Sequence, residues 1–344
     1  MKKYLLERYP AIWNTHLMWA LPLIFAIHLF FFLWGFATVT DENMSNYSFG
    51  LENHFEGLPM VMSFIIIVLM LVGWFIRLFK NNAFERFYPV SEWQLFRQFV
   101  IYLFIMGGIL SSGLSFTIGE SAKVHLRYTD SYIHNVLRQY PENFNFEDVE
   151  RLPEAQQREY HIANNAKDIK ERLFIVGHNE EITMVATATF VLTLLLFTVR
   201  ITSLRTVLLS IVCGGVLCLL LGLVLIFVLS SNMFGMRDVY VVLEILWLTY
   251  LSTIALSIFS DKKQYRGIAM NISLFGFLPM TIVTLIAIVE RYDWWYPSSI
   301  TEEIYYYFWY NIKELIVSIG GILLSLVFIG LYTSVIKRWK ALPE

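Results

Sequence analysis

The chain is dominated by apolar runs of about twenty residues, the length at which an α-helix crosses the hydrocarbon core of a bilayer. Charged residues gather between these runs and make up only 16% of the 344 residues, against about 25% in a soluble domain. No water is available inside a bilayer, so each run must satisfy its own backbone hydrogen bonds as a helix. The sequence therefore predicts an all-α, polytopic transmembrane helix bundle and excludes a soluble fold.

Eight such runs are present. They predict spans at residues 17–38, 58–78, 98–119, 181–200, 206–230, 239–259, 268–289 and 314–336. The first run is too long for the apolar core of a signal peptide and has no A-x-A cleavage site before Asp41. It is therefore interpreted as a retained span. Cys213 and Cys218 both fall inside the fifth run, so neither a disulfide framework nor a thiolate metal site is predicted.

Cationic residues are concentrated at alternate connections. They are Lys2, Lys3 and Arg8 before the first span, Arg77, Lys80, Arg86 and Arg97 around the second connection, Arg200 and Arg205 in the fourth, Lys262, Lys263 and Arg266 in the sixth, and Lys337, Arg338 and Lys340 in the tail. The first connection has four acidic residues and no Lys or Arg. Because Lys and Arg near a span are retained in the cytoplasm, the pattern predicts cytoplasmic termini and an even number of spans.

The third connection, residues 120–180, is the longest polar segment between spans. The sequence predicts that residues 121–140 extend the third span outward until Pro141, and that residues 146–174 form one or two returning helices. Together they would form a small helical segment outside the membrane.

The second connection, residues 80–96, is basic, amphipathic and interrupted by Pro89. Ser91 and Gln94 have the spacing of a capping box, with Val90 and Leu95 placed as its hydrophobic staple, so a new helix is predicted to start here. The preceding residues predict a short helix on the cytoplasmic face, which either docks a soluble partner or is a membrane-surface linker. The docking candidates are Phe84, Glu85, Arg86, Phe87, Tyr88, Pro89, Ser91 and Glu92.

The sequence FYPVSEWQLFRQF in this connection resembles the LPVSR stretch of permease subunits in the second class of bacterial ABC exporters. That resemblance implies that residues 80–96 form a coupling helix against an ATPase, and that residues 2–16 form an amphipathic elbow helix before the first span. The implied organisation is an elbow with spans one to three in residues 1–119, an outer helical loop in 120–180, and spans four to eight in 181–344. Such permeases usually have six spans and no loop of this length.

The resemblance also implies partners and location. The chain contains no G-x-x-x-x-G-K-[ST] phosphate loop, so ATP would bind only on a separate cytoplasmic ABC ATPase. The chain itself is predicted to hold no cofactor and no metal, and to lack enzyme activity. It would lie in the bacterial cytoplasmic (inner) membrane as a homodimer or heterodimer of permeases, in contact with membrane lipids and not with nucleic acid.

Polar residues inside the spans are a second set of candidates. Glu244 lies in the sixth span, where an ionisable side chain is costly and usually faces the bundle interior or an aqueous cavity. It is predicted to pair with Asn271 or His28, to reach the outer interface, or to contact a proton or substrate. His28, in the first span, is either a proton relay or the donor of one hydrogen bond across a helix interface.

Small residues are spaced for close helix packing in three spans. They are Gly107, Gly108, Ser111, Ser112 and Gly113 in the third span, Gly214, Cys218 and Gly222 in the fifth, and Gly321 and Ser325 in the eighth.

Three functions remain open on the sequence. The favoured one is the permease subunit of an exporter that moves a lipid, peptide or drug-like molecule. An ion-coupled transporter would use Glu244, and would be expected to show inverted repeats that this sequence lacks. A non-transport sensor or scaffold would use residues 120–180 to bind a ligand or partner. An intramembrane enzyme is disfavoured because the chain has neither an H-E-x-x-H nor a G-x-S-x-G motif.

Overall fold

The computed structural model describes residues 4, 7–41, 57–80, 83–139, 179–230, 238–293 and 302–342, together with a few residues between 153 and 166. All the regular elements in this part of the chain are helices. They are α1 (Pro10–Asn14), α2 (Leu17–Thr38), α3 (Leu58–Lys80), α4 (Ala83–Arg86), α5 (Glu92–Leu110), a 3-10 turn (Ser111–Gly113), α6 (Leu114–Arg127), α7 (Asp130–Gln139), α8 (Asn179–Ile201), α9 (Leu204–Ser230), α10 (Asp238–Phe259), α11 (Lys263–Asp293) and α12 (Glu302–Lys340).

Eight helices in the described ranges are long and apolar enough to cross a membrane. The prediction of an all-α, multi-pass membrane protein is therefore confirmed. The third span differs most from its predicted limits of 98–119, since α5, the 3-10 turn and α6 form a single 36-residue span from Glu92 to Arg127. Its start follows the cap at Ser91, and its extension beyond Gly119 is packed against α2.

The chain divides into two compact units. Unit 1 comprises Met1–Thr15, Asn82–Met106 and Ala186–Glu344, and unit 2 comprises His16–Asn81 and Gly107–Val185. Each unit is thus assembled from segments that are distant in sequence.

In unit 2, α2 and α6 pack with their backbones in close contact. A methyl group added at Gly35 would lie 2.0 Å from the carbonyl oxygen of Phe116, and one added at Gly119 would lie 2.1 Å from the carbonyl oxygen of Phe32. Only hydrogen fits at these two positions. Small residues allow this approach, which lets van der Waals contacts hold helices together where lipid provides no hydrophobic drive.

The outer part of unit 2 has its own apolar core. Tyr128 is extended and ends α6, and α7 then begins at Asp130, so the predicted continuous helix over 121–140 is broken after Arg127. Because of this break, α7 takes a new direction. The apolar face of α7 packs with the ends of α2 and α6. The core consists of Val39, Val124, Tyr128, Ile133, Val136, Leu137, Ile162 and Ala166. Most of the predicted helix at 146–174 lies outside the described residues.

In unit 1, α11 is the central helix and contacts α9, α10 and α12. The rings of Phe277 and Phe328 stack at 4.1 Å between centroids, and they join α11 to α12. The hydroxyl of Tyr250 on α10 donates to the Ser273 carbonyl oxygen at 2.9 Å. Aromatic packing between Phe99 of α5 and the α8 helix completes the unit.

Two of the three small-residue clusters pack within the units. Gly108 faces Ile24, where an added methyl group would lie 2.9 Å from a side-chain carbon, and Gly321 faces Ile282 at 3.0 Å. In the fifth span, by contrast, Gly222 meets no described atom within 4 Å, and Cys218 is exposed. Gly214 does lie near Ile272, where an added methyl group would be 3.8 Å from a side-chain carbon. The span is 11% buried, less than any other span in the described ranges, so only the start of its cluster packs within unit 1.

The glycine contacts of unit 2 predict that Gly119→Ala lowers the free energy of unfolding by about 1–3 kcal/mol, because the added carbon forces two helix backbones apart. Gly73→Ala in α3 is the matched control, since nothing lies within 4 Å of the added carbon there. It is expected to be neutral or slightly stabilising, because alanine has the higher helix propensity. Unfolding of the purified variants in one detergent measures both effects. Equal effects would contradict the packing described for α2 and α6.

Candidate functional site

Four segments that are far apart in sequence meet at one end of unit 1. Lys337 and Lys340 of α12 contact residues 88–90, and Arg200 of α8 contacts Phe84. Lys340 also shares a cavity with the first residues of α9 and α11. The second, fourth and sixth connections and the end of α12 therefore lie on the same side. We call this the basic end of unit 1, defined by residues 84–90, Arg200, Arg205, Lys263, Lys337 and Lys340.

The turn from Pro89 into α5 is capped. The Gln94 backbone N–H donates to the Ser91 hydroxyl oxygen at 3.2 Å, as a capping box requires. The Gln94 side-chain oxygen, however, accepts from the Val90 N–H at 2.9 Å instead of from Ser91. The predicted hydrophobic staple is wrong, because Val90 is 82% exposed whereas Leu95 is fully buried. The Val90 side chain therefore points outward, although its backbone N–H and its carbonyl oxygen are both hydrogen-bonded.

Lys337 holds this turn in place. Its ammonium group donates to the Pro89 carbonyl oxygen at 3.1 Å and also to the Val90 carbonyl oxygen. Both carbonyls follow a proline-containing turn and have no helical N–H to bond with, so a cationic donor from α12 satisfies them. A segment between the second and third spans is thereby attached to the last helix of the chain.

Aromatic rings anchor the same segment. Phe84 is 2% exposed, and its ring meets that of Tyr88 edge to face at 5.3 Å. The Arg200 guanidinium lies 4.9 Å from the Phe84 ring centroid, and the Lys340 ammonium lies 5.3 Å from that of Tyr88. The Tyr88 phenol is uncharged at physiological pH, and burial raises its pKa further, to about 12. Its ring lies beside the cations as a neutral partner.

The short helix α1 contacts the segment from another direction. The buried Asn14 side chain donates from Nδ2 to the Phe87 carbonyl oxygen at 3.1 Å. A small cavity of about 70 Å³ lies between residues 8–12 and residues 87–98. His16, with a left-handed φ of 57°, then separates α1 from α2. A distinct helix therefore precedes the first span, as the elbow hypothesis expects, although residues 1–3, 5 and 6 lie outside the described part.

The eight docking candidates divide by exposure. Phe84 and Pro89 are buried, and Phe87 and Tyr88 are half-buried, so these four side chains hold the segment to unit 1. The exposed candidates are Glu85, Arg86, Ser91 and Glu92.

Two exposed apolar residues were missed by the sequence analysis. Val90 is 82% exposed and Trp93 is 70% exposed, and they flank Ser91 and Glu92. Val90 was assigned to the hydrophobic staple and Trp93 to the helix leading into the span. The available signal was that both residues lie within two positions of the predicted cap, where a helix start presents its side chains outward.

His28 bridges three helical segments of unit 2. Its Nε2 lies 2.8 Å from the Gly108 carbonyl oxygen, and its Nδ1 lies 2.5 Å from the Ser115 hydroxyl. A carbonyl can only accept, so Nε2 donates and Nδ1 accepts from Ser115. The ring joins α2 to both sides of the 3-10 turn, which is the cross-helix role that the sequence left open beside a proton relay.

Asn271 and Glu244 are not brought together. Asn271 is fully buried, and its Nδ2 donates to Thr202 at 3.3 Å and to Ser210 at 3.1 Å. The Glu244 side chain is exposed on α10, so it does not face the interior of unit 1, and the alternative that it reaches the membrane interface fits its position. The span begins at Val241, which places Glu244 within one turn of the span's end, where a charged group reaches the headgroup region.

The end of the third span nearest Arg127 contains two buried ionisable residues that the sequence analysis missed. Glu120 is 1% exposed and Lys123 is 8% exposed, and their spacing places them on the same face of α6. Lys123 donates to the Val39 carbonyl oxygen, at the end of α2. They were assigned to the outer loop because the span was ended at Gly119, although the small residues Gly119, Ser121 and Ala122 favour continued close packing.

No protein-family model matches this chain, and no curated protein or solved structure does so either. Function is therefore inferred from the geometry of the sites themselves.

The contacts of Lys337 predict that Lys337→Met frees the turn at residues 89–91. Losing two charge-assisted hydrogen bonds, each worth about 1.5–3 kcal/mol, is expected to speed hydrogen exchange of the backbone amides in 90–95 by at least about tenfold. Arg338→Met is the matched control, because Arg338 is exposed and lies one residue away. Hydrogen exchange of both variants is measured by mass spectrometry in lipid nanodiscs. Unchanged protection of residues 90–95 in Lys337→Met would show that the turn is held by other contacts.

Proposed function

We propose that this chain is the permease subunit of an ATP-driven exporter in the bacterial cytoplasmic (inner) membrane. In this proposal both termini and the basic end of unit 1 face the cytoplasm, and a separate ABC ATPase docks on residues 85–93. The permease works as a homodimer or heterodimer and moves a lipid, peptide or drug-like molecule. The chain itself binds no nucleotide.

The observation that carries the proposal is the way the second connection is held. A docking element must be fixed to the moving helices, or a push from the partner would only displace a loop. Here the Pro89–Val90 backbone is bonded to α12 through Lys337, the Phe84 ring packs under Arg200 of α8, and Phe87 is bonded to α1. A force on this segment is therefore delivered to three helices of unit 1.

The exposed surface of the segment fits a protein partner. Val90 and Trp93 are apolar and exposed, and they stand beside the charged side chains of Glu85, Arg86 and Glu92. An aromatic or aliphatic centre with a polar rim is the usual composition of an energetically important protein contact.

The distribution of charge supports the orientation. The described cations of the second, fourth and sixth connections and of the end of α12 share one side of unit 1, and Lys and Arg near spans are retained in the cytoplasm. Independent segments thus agree on a single cytoplasmic side.

A sensor or scaffold is the second candidate. The separate apolar core around α7 and the ion pair between Arg138 and Glu159, at 2.9 Å, support a folded outer segment able to bind a ligand. The exposed position of Glu244 gives less support to an ion-coupled transporter.

The proposal is tested by purifying tagged protein in mild detergent and identifying co-purified proteins that contain a phosphate-loop ATPase motif. Val90→Glu places a charge at the centre of the docking surface and is expected to lower ATPase recovery by at least about thirtyfold, the effect of a cost of about 2 kcal/mol at an interface hot spot. Leu126→Glu is the matched control, since Leu126 is 83% exposed and lies at the opposite end of the third span.

Recovery of one ATPase with the wild type and with Leu126→Glu, but not with Val90→Glu, supports the docking surface. Equal recovery with both variants would exclude these residues as the contact. Absence of any such ATPase from the wild type in several detergents and after cross-linking would contradict the exporter proposal.

A further inference from the structure

A cavity of about 350 Å³ opens at the basic end of unit 1. This volume is roughly ten times the space that one water molecule occupies in the liquid. The first turns of α9 and α11 and the last turn of α12 line it. Its polar and aromatic lining is Thr202, Arg205, Thr206, Lys263, Gln264, Trp339 and Lys340.

The lining is cationic. Arg205, Lys263 and Lys340 each bring a positive charge, and the lining residues that the structure describes include no Asp or Glu. Among the residues that the structure describes, none of these three side chains forms an ion pair. Like charges gathered in one cavity repel one another, so an anion bound between them would be stabilised by all three.

Hydrogen bonds hold Lys263 and Trp339 in the lining, and Lys263 keeps further donors. Lys263 donates to the Leu342 carbonyl oxygen at 2.9 Å, and the Trp339 indole N–H donates to the Lys263 carbonyl oxygen at 2.9 Å. An ammonium group has three N–H donors and a guanidinium has five, so Lys263 and Arg205 keep donors for a ligand. Gln264 adds an amide, and α9 and α11 both begin at the cavity, where helix dipoles favour negative charge.

The position of the cavity indicates where the anion comes from. The fifth and seventh spans begin at Leu204 and Lys263, and the eighth ends at Lys340, so the cavity lies at the level of the lipid headgroups. Directly beyond it, α9 presents an apolar face that is open along its length. The exposed residues of this face are Leu208, Ile211, Val212, Val216, Leu219 and Leu223.

We propose that this cavity binds the phosphate of an anionic phospholipid headgroup, with the acyl chains lying along the exposed face of α9. Arg205 provides a planar pair of donors that matches two phosphate oxygens, and Lys263 and Lys340 supply compact charges around them. Basic pockets between transmembrane helices are suited to such headgroups. Residues 85–93 do not line the cavity, although Lys340 contacts Tyr88 as well, and the proposal does not depend on the exporter function.

The test uses the full chain purified in detergent, with lipid retention read by native mass spectrometry. Phosphatidylglycerol is the anionic probe and phosphatidylethanolamine is the zwitterionic one. The wild type is expected to retain phosphatidylglycerol preferentially. Because a cation near the headgroup contributes roughly a fivefold factor, Arg205→Gln and Lys340→Gln should each weaken retention about fivefold, and the variant with all three cations replaced by Gln at least about tenfold.

The matched control replaces three cations outside the cavity, Lys80, Arg97 and Lys262, by Gln. These side chains are exposed, so the same net charge is removed from elsewhere on the chain. Arg205 and Lys340 are also exposed, and their single variants are expected to unfold at the wild-type temperature. Loss of retention in the cavity variants alone supports the site, whereas equal loss in the control variant, or no preference for the anionic lipid, would overturn it.

A second arm separates the two sources of phosphate. Inorganic phosphate is titrated calorimetrically into the protein held in zwitterionic nanodiscs. No saturable heat is expected, because the free ion lacks acyl chains to lie against α9. Saturable binding of inorganic phosphate that Arg205→Gln removes, together with no lipid preference, would show a soluble phosphate as the ligand and contradict the lipid assignment.

Discussion

The absence of water from the bilayer core is the constraint on which this fold depends. Every backbone group inside a span must be bonded within its own helix, and polar side chains in the spans follow the same rule. Thr198 donates to the Leu194 carbonyl oxygen and Ser325 to that of Gly321, four residues back in the same helix. Few polar groups are left to join one helix to another, so helix packing depends on shape, as at Gly35 and Gly119.

The polar contacts that do cross between helices are correspondingly specific. In unit 2 the His28 ring joins α2 to the segments around the 3-10 turn, and in unit 1 Asn271 joins α11 to Thr202, just after α8, and to α9. At the basic end of unit 1, the backbone of the second connection is not helical at Pro89 and Val90. Lys337 donates hydrogen bonds to the carbonyl oxygens of these two residues. The same end holds residues 84–90 in place and forms the cationic cavity, so the proposed partner contact and the proposed lipid site lie side by side.

The apolar runs were sufficient to predict the all-α class and eight spans, because length and hydropathy are properties of sequence alone. The cap at Ser91 and the short helix before Pro89 were predictable from local spacing. The orientation of side chains could not be predicted in this way. Phe84, Tyr88 and Val90 are all largely apolar side chains, and only the contacts with α8 and α12 decide which of them is buried. Likewise, Glu120 was assigned to a loop because no hydropathy window reports that α2 packs beside α6.

The sidedness of the basic end is the most direct test of this account, and substituted-cysteine labelling in intact cells measures it. With Cys213 and Cys218 replaced by Ala, Val90→Cys and Leu126→Cys compare two positions that are 82% and 83% exposed at opposite ends of the third span. The account predicts that a membrane-impermeant maleimide labels Leu126→Cys from outside, and labels Val90→Cys only after the membrane is permeabilised. Labelling of Val90→Cys in intact cells, with protection of Leu126→Cys, would contradict it.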